Sequence, residues 1–484
     1  MDAATATLQL NILFWILIGV LIGFVFGAAP GLTATTGVAI ATPLTFGVGF
    51  DVSMALLLGI YSAGYFAGSI PAILINTPGA PGNAATALDG YRLARMGKAD
   101  LAISLAVVAS VIGGIFSIII LMLAAPVLSS FALEFTSIEY FSLGLFGLIC
   151  VAAVSGGSLI KGVIGAAIGM FLGTIGIDDV GGTIRFSFDM PELQGGMPLI
   201  PTLIAFFAVA EMLLQAAAQQ GPSDLPSQQI YRLLQLPGLL LKHSWLLLKS
   251  SITGTFIGIL PGTGPTIASW IAYGQSGRAK AEKEGEEVAA VRGIIAAESA
   301  NNAVTGGALV PLLTLGIPGD TVTAVLIGAL LIQGIDPGPF FIVEHGDLFA
   351  QILIILLIAS LMTLILGLGA RKILPKILAI PPRILLPVIG VLCVAGGFAI
   401  HNIPFEVGII AVLGIAGYTL ARFGFPMAPI VIGLVLGPII EVNLRNGLVS
   451  NDMDVSVFFT RPISAALLAA IVITLIWSLR RRKG

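Results

Sequence analysis

Charge is what this chain has least of. Asp, Glu, Lys and Arg make up 10% of its 484 residues against 57% hydrophobic, with a mean hydropathy of +1.04. So few charges cannot cover a water-facing surface, which excludes a soluble globule. Alternation of period two is also missing, which excludes a strand barrel. Apolar runs recur instead from residue 9 to residue 479, enough for roughly ten to twelve segments that cross or re-enter about 30 Å of hydrocarbon. The expected fold is an all-α polytopic membrane protein in a lipid bilayer. A net charge of −2 with no basic stripe argues against nucleic acid. The two cysteines, Cys150 and Cys393, each sit in an apolar run, the place of a buried small residue rather than of a disulfide. The three histidines, His243, His345 and His401, have no metal-ligand spacing, and HExxH, GxSxG and GxxxxGK[ST] are absent. No enzyme activity and no covalently bound cofactor are expected. The opening MDAATATLQLNILFWILIGVLIGF lacks a basic leader and a small-residue cleavage site, so it reads as a first membrane helix.

What the chain has in abundance is proline and glycine, and they recur in matched places. Pro30-Gly31 is answered by Pro261-Gly262 at an offset of 231, and Pro71 with Pro78-Gly79 by Pro311 with Pro318-Gly319 at 240. Cys150 is answered by Cys393 at 243, and Pro198 and Pro201 before Glu211 by Pro426 and Pro429 before Glu441 at 228. One unit is duplicated. The expected organisation is a helix start at 1–22, repeat 1 at 23–213, a linker and interfacial helix at 214–253 (the helix over 228–249), repeat 2 at 254–443, and a polar loop, final helix and basic tail at 444–484.

Charge gives the relative orientation of the copies, because Lys and Arg accumulate in cytoplasmic loops. Arg92, Arg95 and Lys98 correspond to a stretch around 327–347 with Asp336, Glu344 and Asp347 and no Lys or Arg. Arg278, Lys280, Lys283 and Arg292 correspond to a loop with only Asp51, and Arg371, Lys372, Lys376 and Arg383 to Glu134 and Glu139. A loop that is basic in one copy and acidic or neutral in the other is expected when the second copy sits upside down, the inverted repeat of secondary transporters. The tail Arg480-Arg481-Arg482-Lys483 places the C-terminus in the cytoplasm. Lys242 and Lys249 fit this scheme less well.

Four hydrophobic segments are broken by Pro-Gly and followed at once by small hydroxyl or amide residues: PGLTATTG at 30–37, NTPGAPGNAAT at 76–86, PGTGPTIAS at 261–269 and GIPGDTVT at 316–323. Each break frees carbonyls on one side and N–H groups of a new helix start on the other. In a bilayer these groups need partners: a helix start suits an anion, while bare carbonyls suit a hard cation. The expected substrate-binding residues are Pro30, Gly31, Thr33, Thr35, Thr36, Asn76, Thr77, Pro78, Gly79, Asn83, Pro261, Gly262, Thr263, Gly264, Thr266, Ser299, Asn301 and Asn302. The sodium candidates are Asn76, Gly316, Gly319, Asp320, Thr321 and Thr323. A helix start contributes about 0.5 to 2 kcal/mol toward an anion, whereas an ionised side chain costs about 3 kcal/mol or more at the bilayer centre. A multiply charged anion therefore needs accompanying cations, since no Lys or Arg lies within the four motifs.

Among ionisable residues, Glu298 follows Arg292 closely enough that a surface helix end and an intramembrane position are both open. Asp320 reads as a helix cap or a cation contact. Asp89, near Arg92, reads as a loop charge. Glu211 and Glu441 suit structural pairing as well as function, and Tyr61, Tyr65 and Trp270 suit aromatic packing as well as a path lining.

The stretches GAAPGLTATTG, ILINTPGAPGNAATALDGYRLARMGKA, GILPGTGPTIASWIAYG and AAESANNAVTGGALVPLLTLGIPGDTVTAVLIGALLIQG closely resemble the large membrane subunit of the tripartite tricarboxylate transporters, the TctA-type permeases, with the likeness running from about residue 15 to 440. The resemblance implies a bacterial inner-membrane permease working with a small TctB-type membrane subunit and a periplasmic TctC-type binding protein that delivers an organic carboxylate such as citrate. It also implies uptake driven by an ion gradient, usually sodium. Pro30-Gly31, Asn76 to Gly79, Pro261-Gly262 and Gly316 to Asp320 occupy the family's signature segments. The expected mechanism has the substrate bound between the inverted halves at 33–36 and 263–266, with sodium in the breaks near Asn76 and Asp320.

Overall fold

The computed structural model describes residues 7–29, 31–154, 158–218, 233–369, 371, 373, 378, 380 and 382–480. Pro30, linker residues 219–232, Lys372, Lys376 and the tail residues Arg481, Arg482 and Lys483 lie outside them.

In chain order the helices of the first half are α1 (Leu10–Ala28), α2 (Ala34–Ala41), α3 (Phe50–Ala67), α4 (Ser69–Ile75), α5 (Ala84–Arg95), α6 (Ala99–Ala132), α7 (Ser137–Val154) and α8 (Leu159–Gly173). A small antiparallel hairpin follows, β1 (Gly176–Ile177) with β2 (Ile184–Arg185), Gly176 facing Arg185. Then come α9 (Leu199–Ala217, containing a π turn at Ala205–Val209), α10 (Ser244–Ile259), α11 (Gly264–Gly274), α12 (Glu286–Leu315) and α13 (Thr321–Ile332). The last five are α14 (Gly346–Gly369), α15 (Pro382–His401), α16 (Pro404–Arg422), α17 (Met427–Val449) and α18 (Pro462–Arg480). Among the described residues nine helical runs are long and apolar enough to cross a membrane, and four shorter apolar helices accompany them. The chain is an all-α polytopic membrane protein.

Two glycine seams hold the centre. On α1, Gly19, Gly23 and Gly27 lie against the carbonyls of Leu56, Ile60 and Gly64 on α3, so that an added Cβ would fall 2.3, 2.8 and 2.4 Å from those oxygens. Small residues at a spacing of four let two backbones approach this closely in an apolar medium. The numbers rise together on both helices, so α1 and α3 run in the same direction, and α2 folds back between them with Ala34 on Gly64 and Gly37 on Ile60. The second seam is built likewise: Gly254 and Gly258 of α10 lie under Ala300 O and Val304 O of α12 at 2.3 and 2.9 Å, again in parallel. Between the seams the direction reverses. Tyr65 of α3 meets Asn301 of α12 while Tyr61, nearer the start of α3, meets Thr305.

The seam also explains a difference from the expected interfacial helix over 228–249. Within the described residues that stretch breaks at His243, and α10 starts at Ser244 and runs on against α12 into the third break. The boundaries expected after residues 22 and 253 thus fall inside α1 and α10.

Ion pairs gather the basic loops of both halves at one end. Arg278 reaches Asp89 at 2.9 Å, Arg92 Glu286 at 3.3 Å and Arg371 Asp100 at 2.7 Å, and Lys98 pairs with Glu287. At the far end Arg445 and Arg185 tie Asp178 of the hairpin to Glu441 of α17, with contacts of 2.7 Å to Asp178 and 2.6 Å to Glu441. α18 runs beside α7 in the same direction, with Arg461 on Glu139 and Ser464 on Ser142, which returns the chain toward the basic end.

The seam makes a prediction. Gly254→Leu forces a side chain into Ala300 O and should destabilise by about 1–3 kcal/mol or more, read as a fall in the melting temperature of the detergent-purified protein. Gly274→Ala, at a site with nothing within 4 Å, should leave it unchanged or slightly raised.

Candidate functional site

The four breaks join in a closed ring. The second meets the last turn of α1, which leads into the first, where the Cβ position of Gly79 lies 2.3 Å from Gly27 O. The second and third meet where that of Gly82 lies 3.0 Å from Pro265 Cβ. Gly262 N–H donates to Gly319 O at 2.9 Å, linking the third and fourth. The Thr35 and Thr321 hydroxyls, 2.8 Å apart, link the fourth to the first.

Local chemistry creates each break. α4 and α12 end on left-handed residues, Asn76 at φ 55° and Gly316 at φ 68°. The next N–H closes back onto a proline carbonyl, Thr77 to Pro71 O and Ile317 to Pro311 O, both at 3.3 Å. This is a glycine-type helix stop, with Asn standing for Gly in the first copy. The chain then folds back in extended form and starts a new helix. Asp320 caps α13: its Oδ1 accepts from Thr323 N at 2.7 Å and its own N–H donates to Thr323 Oγ1 at 2.8 Å, a reciprocal capping box. Thr33 caps α2 by accepting from Thr36 N at 3.3 Å. The starts of α5 and α11 carry no side-chain cap, and Thr263 instead turns its hydroxyl back to the carbonyls of Ile257 and Leu260.

Inside the ring is a buried polar network. Asp320 Oδ2 accepts from Tyr61 and Tyr65 hydroxyls at 2.7 and 2.5 Å. The Tyr65 carbonyl accepts from the amides of Asn83 and Asn301 at 3.1 and 3.0 Å, and the Ser62 carbonyl from Asn302 at 3.2 Å. Glu298, 0% exposed, accepts from Thr86, from Ser110 at 2.9 Å and from Asn83 at 3.4 Å. Among the described residues the amide oxygens of Asn83 and Asn302 are buried without a hydrogen-bond partner.

Of the residues expected at a site, this network unites Asn83, Asn301, Asn302, Asp320 and Thr323, and the ring contacts take in Thr35, Gly79, Gly262, Gly319 and Thr321. Others lie apart from it. Asn76 and Thr77 are exposed, Thr36 donates to Phe207 O at 3.0 Å, and Ser299 spends its hydroxyl on Ile295 O. Gly31, Pro78, Thr263 and Thr266 are half-buried, whereas Pro261, Gly264 and Gly316 are buried. Pro30 lies outside the described residues.

Glu298 is interior, and Asp320 is both a cap and the acceptor of two tyrosines. Tyr61 and Tyr65 stack edge to face at 5.0 Å while donating to Asp320, whereas Trp270 is exposed. Asp89 corrects the sequence reading: it is not a loop charge but a buried residue of α5, because α5 continues to Arg95 and Arg278 comes over from the loop after α11 to pair with it. Glu441 pairs with Arg185 and Arg445, Glu211 accepts from Gln215, and both cysteines are free and buried.

A profile of the tripartite tricarboxylate transporter TctA family matches residues 13–432. The chain belongs to the TctA family. This family member is 36% identical over 485 aligned residues, 99% of its own length and 96% of the relative's, to a protein of Agrobacterium vitis described as an uncharacterized 52.8 kDa protein in the TAR-I ttuC' 3' region. It is 38% identical to a second one from the same organism, described as lying in the TAR-II ttuC' 3' region, across 48% of this chain and 97% of the relative. No solved structure matches it. As a TctA-family chain it is a membrane component of a tripartite tricarboxylate transporter system.

Sequence reasoning missed Thr86 and Ser110 as partners of Glu298. Thr86 sits at the end of the second Pro-Gly motif, which was the available signal, but Ser110 is a lone serine in an apolar run and carries none. Asp320→Ala removes the cap, typically worth about 1 kcal/mol, and also takes the acceptor from two buried tyrosine hydroxyls. With Tyr65 left without an acceptor and Tyr61 left with Thr305 O alone, it should lower the melting temperature more than Thr33→Ala, which removes the cap of α2 alone. Equal shifts would mean that the tyrosine contacts contribute nothing.

Proposed function

We propose that this chain is the permease subunit that imports an organic di- or tricarboxylate, handed to it by a periplasmic binding protein with a small membrane subunit alongside, using a sodium or proton gradient. It works in the bacterial inner membrane with the basic loops and the C-terminus on the cytoplasmic side. The observation that carries the reading is the ring of four broken helices, which joins two helix sets running in opposite directions and contains no Lys or Arg in any of its motifs. Such a ring suits an inverted-repeat carrier with its site at the repeat interface.

The helix starts divide the work. Those of α2 and α13 are capped by their own side chains, and the second cap is a carboxylate, so the fourth break repels an anion and suits a sodium ion beside Asp320. The start of α11 has no side-chain cap, and Thr263 and Thr266 there are half-buried, so a carboxylate group of the substrate docks there. Each helix start offsets only about 0.5 to 2 kcal/mol of the cost of an anion, which is why the cation is needed for binding and couples to it.

The test is uptake of a radiolabelled carboxylate panel, citrate included, into proteoliposomes holding the permease and its two partner proteins, with and without an inward sodium or proton gradient. Gradient-driven accumulation of one acid is expected. Equilibration that ignores both gradients would overturn the coupled carrier in favour of a channel. Asp320→Asn should weaken the sodium dependence of uptake, and an unchanged dependence would remove Asp320 from the cation site.

A further inference from the structure

We propose that Glu298 is a proton-binding site, separate from the capping carboxylate of Asp320, and that its protonation loosens the contact between α12 and the α5–α6 pair. Its environment is built for a carboxyl that changes state. The side chain is fully buried midway along α12, and its hydrogen-bond donors come from the other half of the molecule: Thr86 on α5, Ser110 on α6 and Asn83 at the second break. All three partners are neutral, and two are hydroxyls, which donate to an ionised carboxylate and accept from a protonated one. The ionised form is stabilised by three charge-assisted hydrogen bonds but lacks a cation, and the neutral form is favoured by burial, so neither state is locked.

The charged groups on the surrounding elements are engaged elsewhere or exposed: Arg92 of α5 pairs with Glu286, and Arg95 of α5 and Lys249 of α10 are exposed. On α5, Asp89 is held by Arg278, and at the start of α6, Asp100 is held by Arg371. On α3, Tyr61 and Tyr65 point their hydroxyls at Asp320 of the fourth break. On α12 itself Arg292 donates to Ser276 O, α11 contributes Tyr273 beside Gly293, and α10 meets α12 through glycines. A second observation marks the site as incomplete: Asn83, which donates to Glu298, leaves its own oxygen buried and unpartnered. Pro81, two residues before Asn83, is exposed.

Proton binding at this position has a mechanical consequence. It converts three bonds to a charge into bonds to a neutral acid, all of them across the interface between halves, so the interface weakens when the proton is on and tightens when it leaves. That makes the proton a coupling ion, a role that rests on the transport reading above. The proton site itself does not.

The test is pH-difference infrared spectroscopy on the purified permease, following the carbonyl stretch of a protonated carboxyl, together with uptake under an imposed pH gradient. A titrating carboxyl band is expected that is lost in Glu298→Gln and kept in Asp320→Asn. In proteoliposomes Glu298→Gln should lose the response of uptake to the pH gradient. Should Glu298→Gln fail to fold, Thr86→Val and Ser110→Ala, which remove donors to the ionised form and leave the carboxyl, should each shift the titration to higher pH. A band that persists in Glu298→Gln, or a titration indifferent to both donor variants, would overturn the proposal while leaving the transport reading intact. A titrating Glu298 in a protein that carries no carboxylate would instead sustain the proton site and sink the transport reading.

Discussion

Everything at the centre of this molecule follows from one constraint: backbone groups freed inside an apolar medium must be satisfied by the protein itself. Each Pro-Gly break frees such groups, and the structure satisfies them by bringing the breaks to one another. Gly262 pairs with Gly319, and the helix stops close through Thr77 on Pro71 O and Ile317 on Pro311 O. The glycine seams of α1 on α3 and α10 on α12 are a condition of this arrangement. Only backbones in near contact bring Gly79 onto Gly27 and Gly319 onto Gly258.

The same constraint sorts the charges. At the two ends, where water is near, acids and bases pair directly: Asp89 with Arg278 and Asp100 with Arg371 at one end, Asp178 and Glu441 with Arg185 and Arg445 at the other. Inside the ring the carboxylates Asp320 and Glu298 are held by hydroxyls, amides and a backbone N–H. A carboxylate paired with Arg is neutralised by it, whereas the two central carboxylates are held by neutral donors.

Much of this was legible in the residues. The low charge and long apolar runs required an all-α membrane protein, and the doubled Pro-Gly motifs marked the segments that the structure gathers. Asp320 was readable as a cap because it directly precedes a helix with Thr three positions on. Other residues were not legible. Asp89 looked like a loop charge because its partner, Arg278, lies 189 positions away. Glu298 was ambiguous for the same reason, since Thr86 and Ser110 belong to elements that only packing places beside it.

By itself the sequence determined the medium, the helical class and the places where helices break, because these depend on composition and on the local properties of proline and glycine. Tertiary structure alone decided which break meets which, which helix starts are left uncapped, and that, among the described residues, the carboxylates Asp320 and Glu298 stand inside without a cationic partner. Those outcomes depend on contacts between distant segments at hydrogen-bond range, and nothing local to Asn83, Ser110 or Glu298 encodes such a distance.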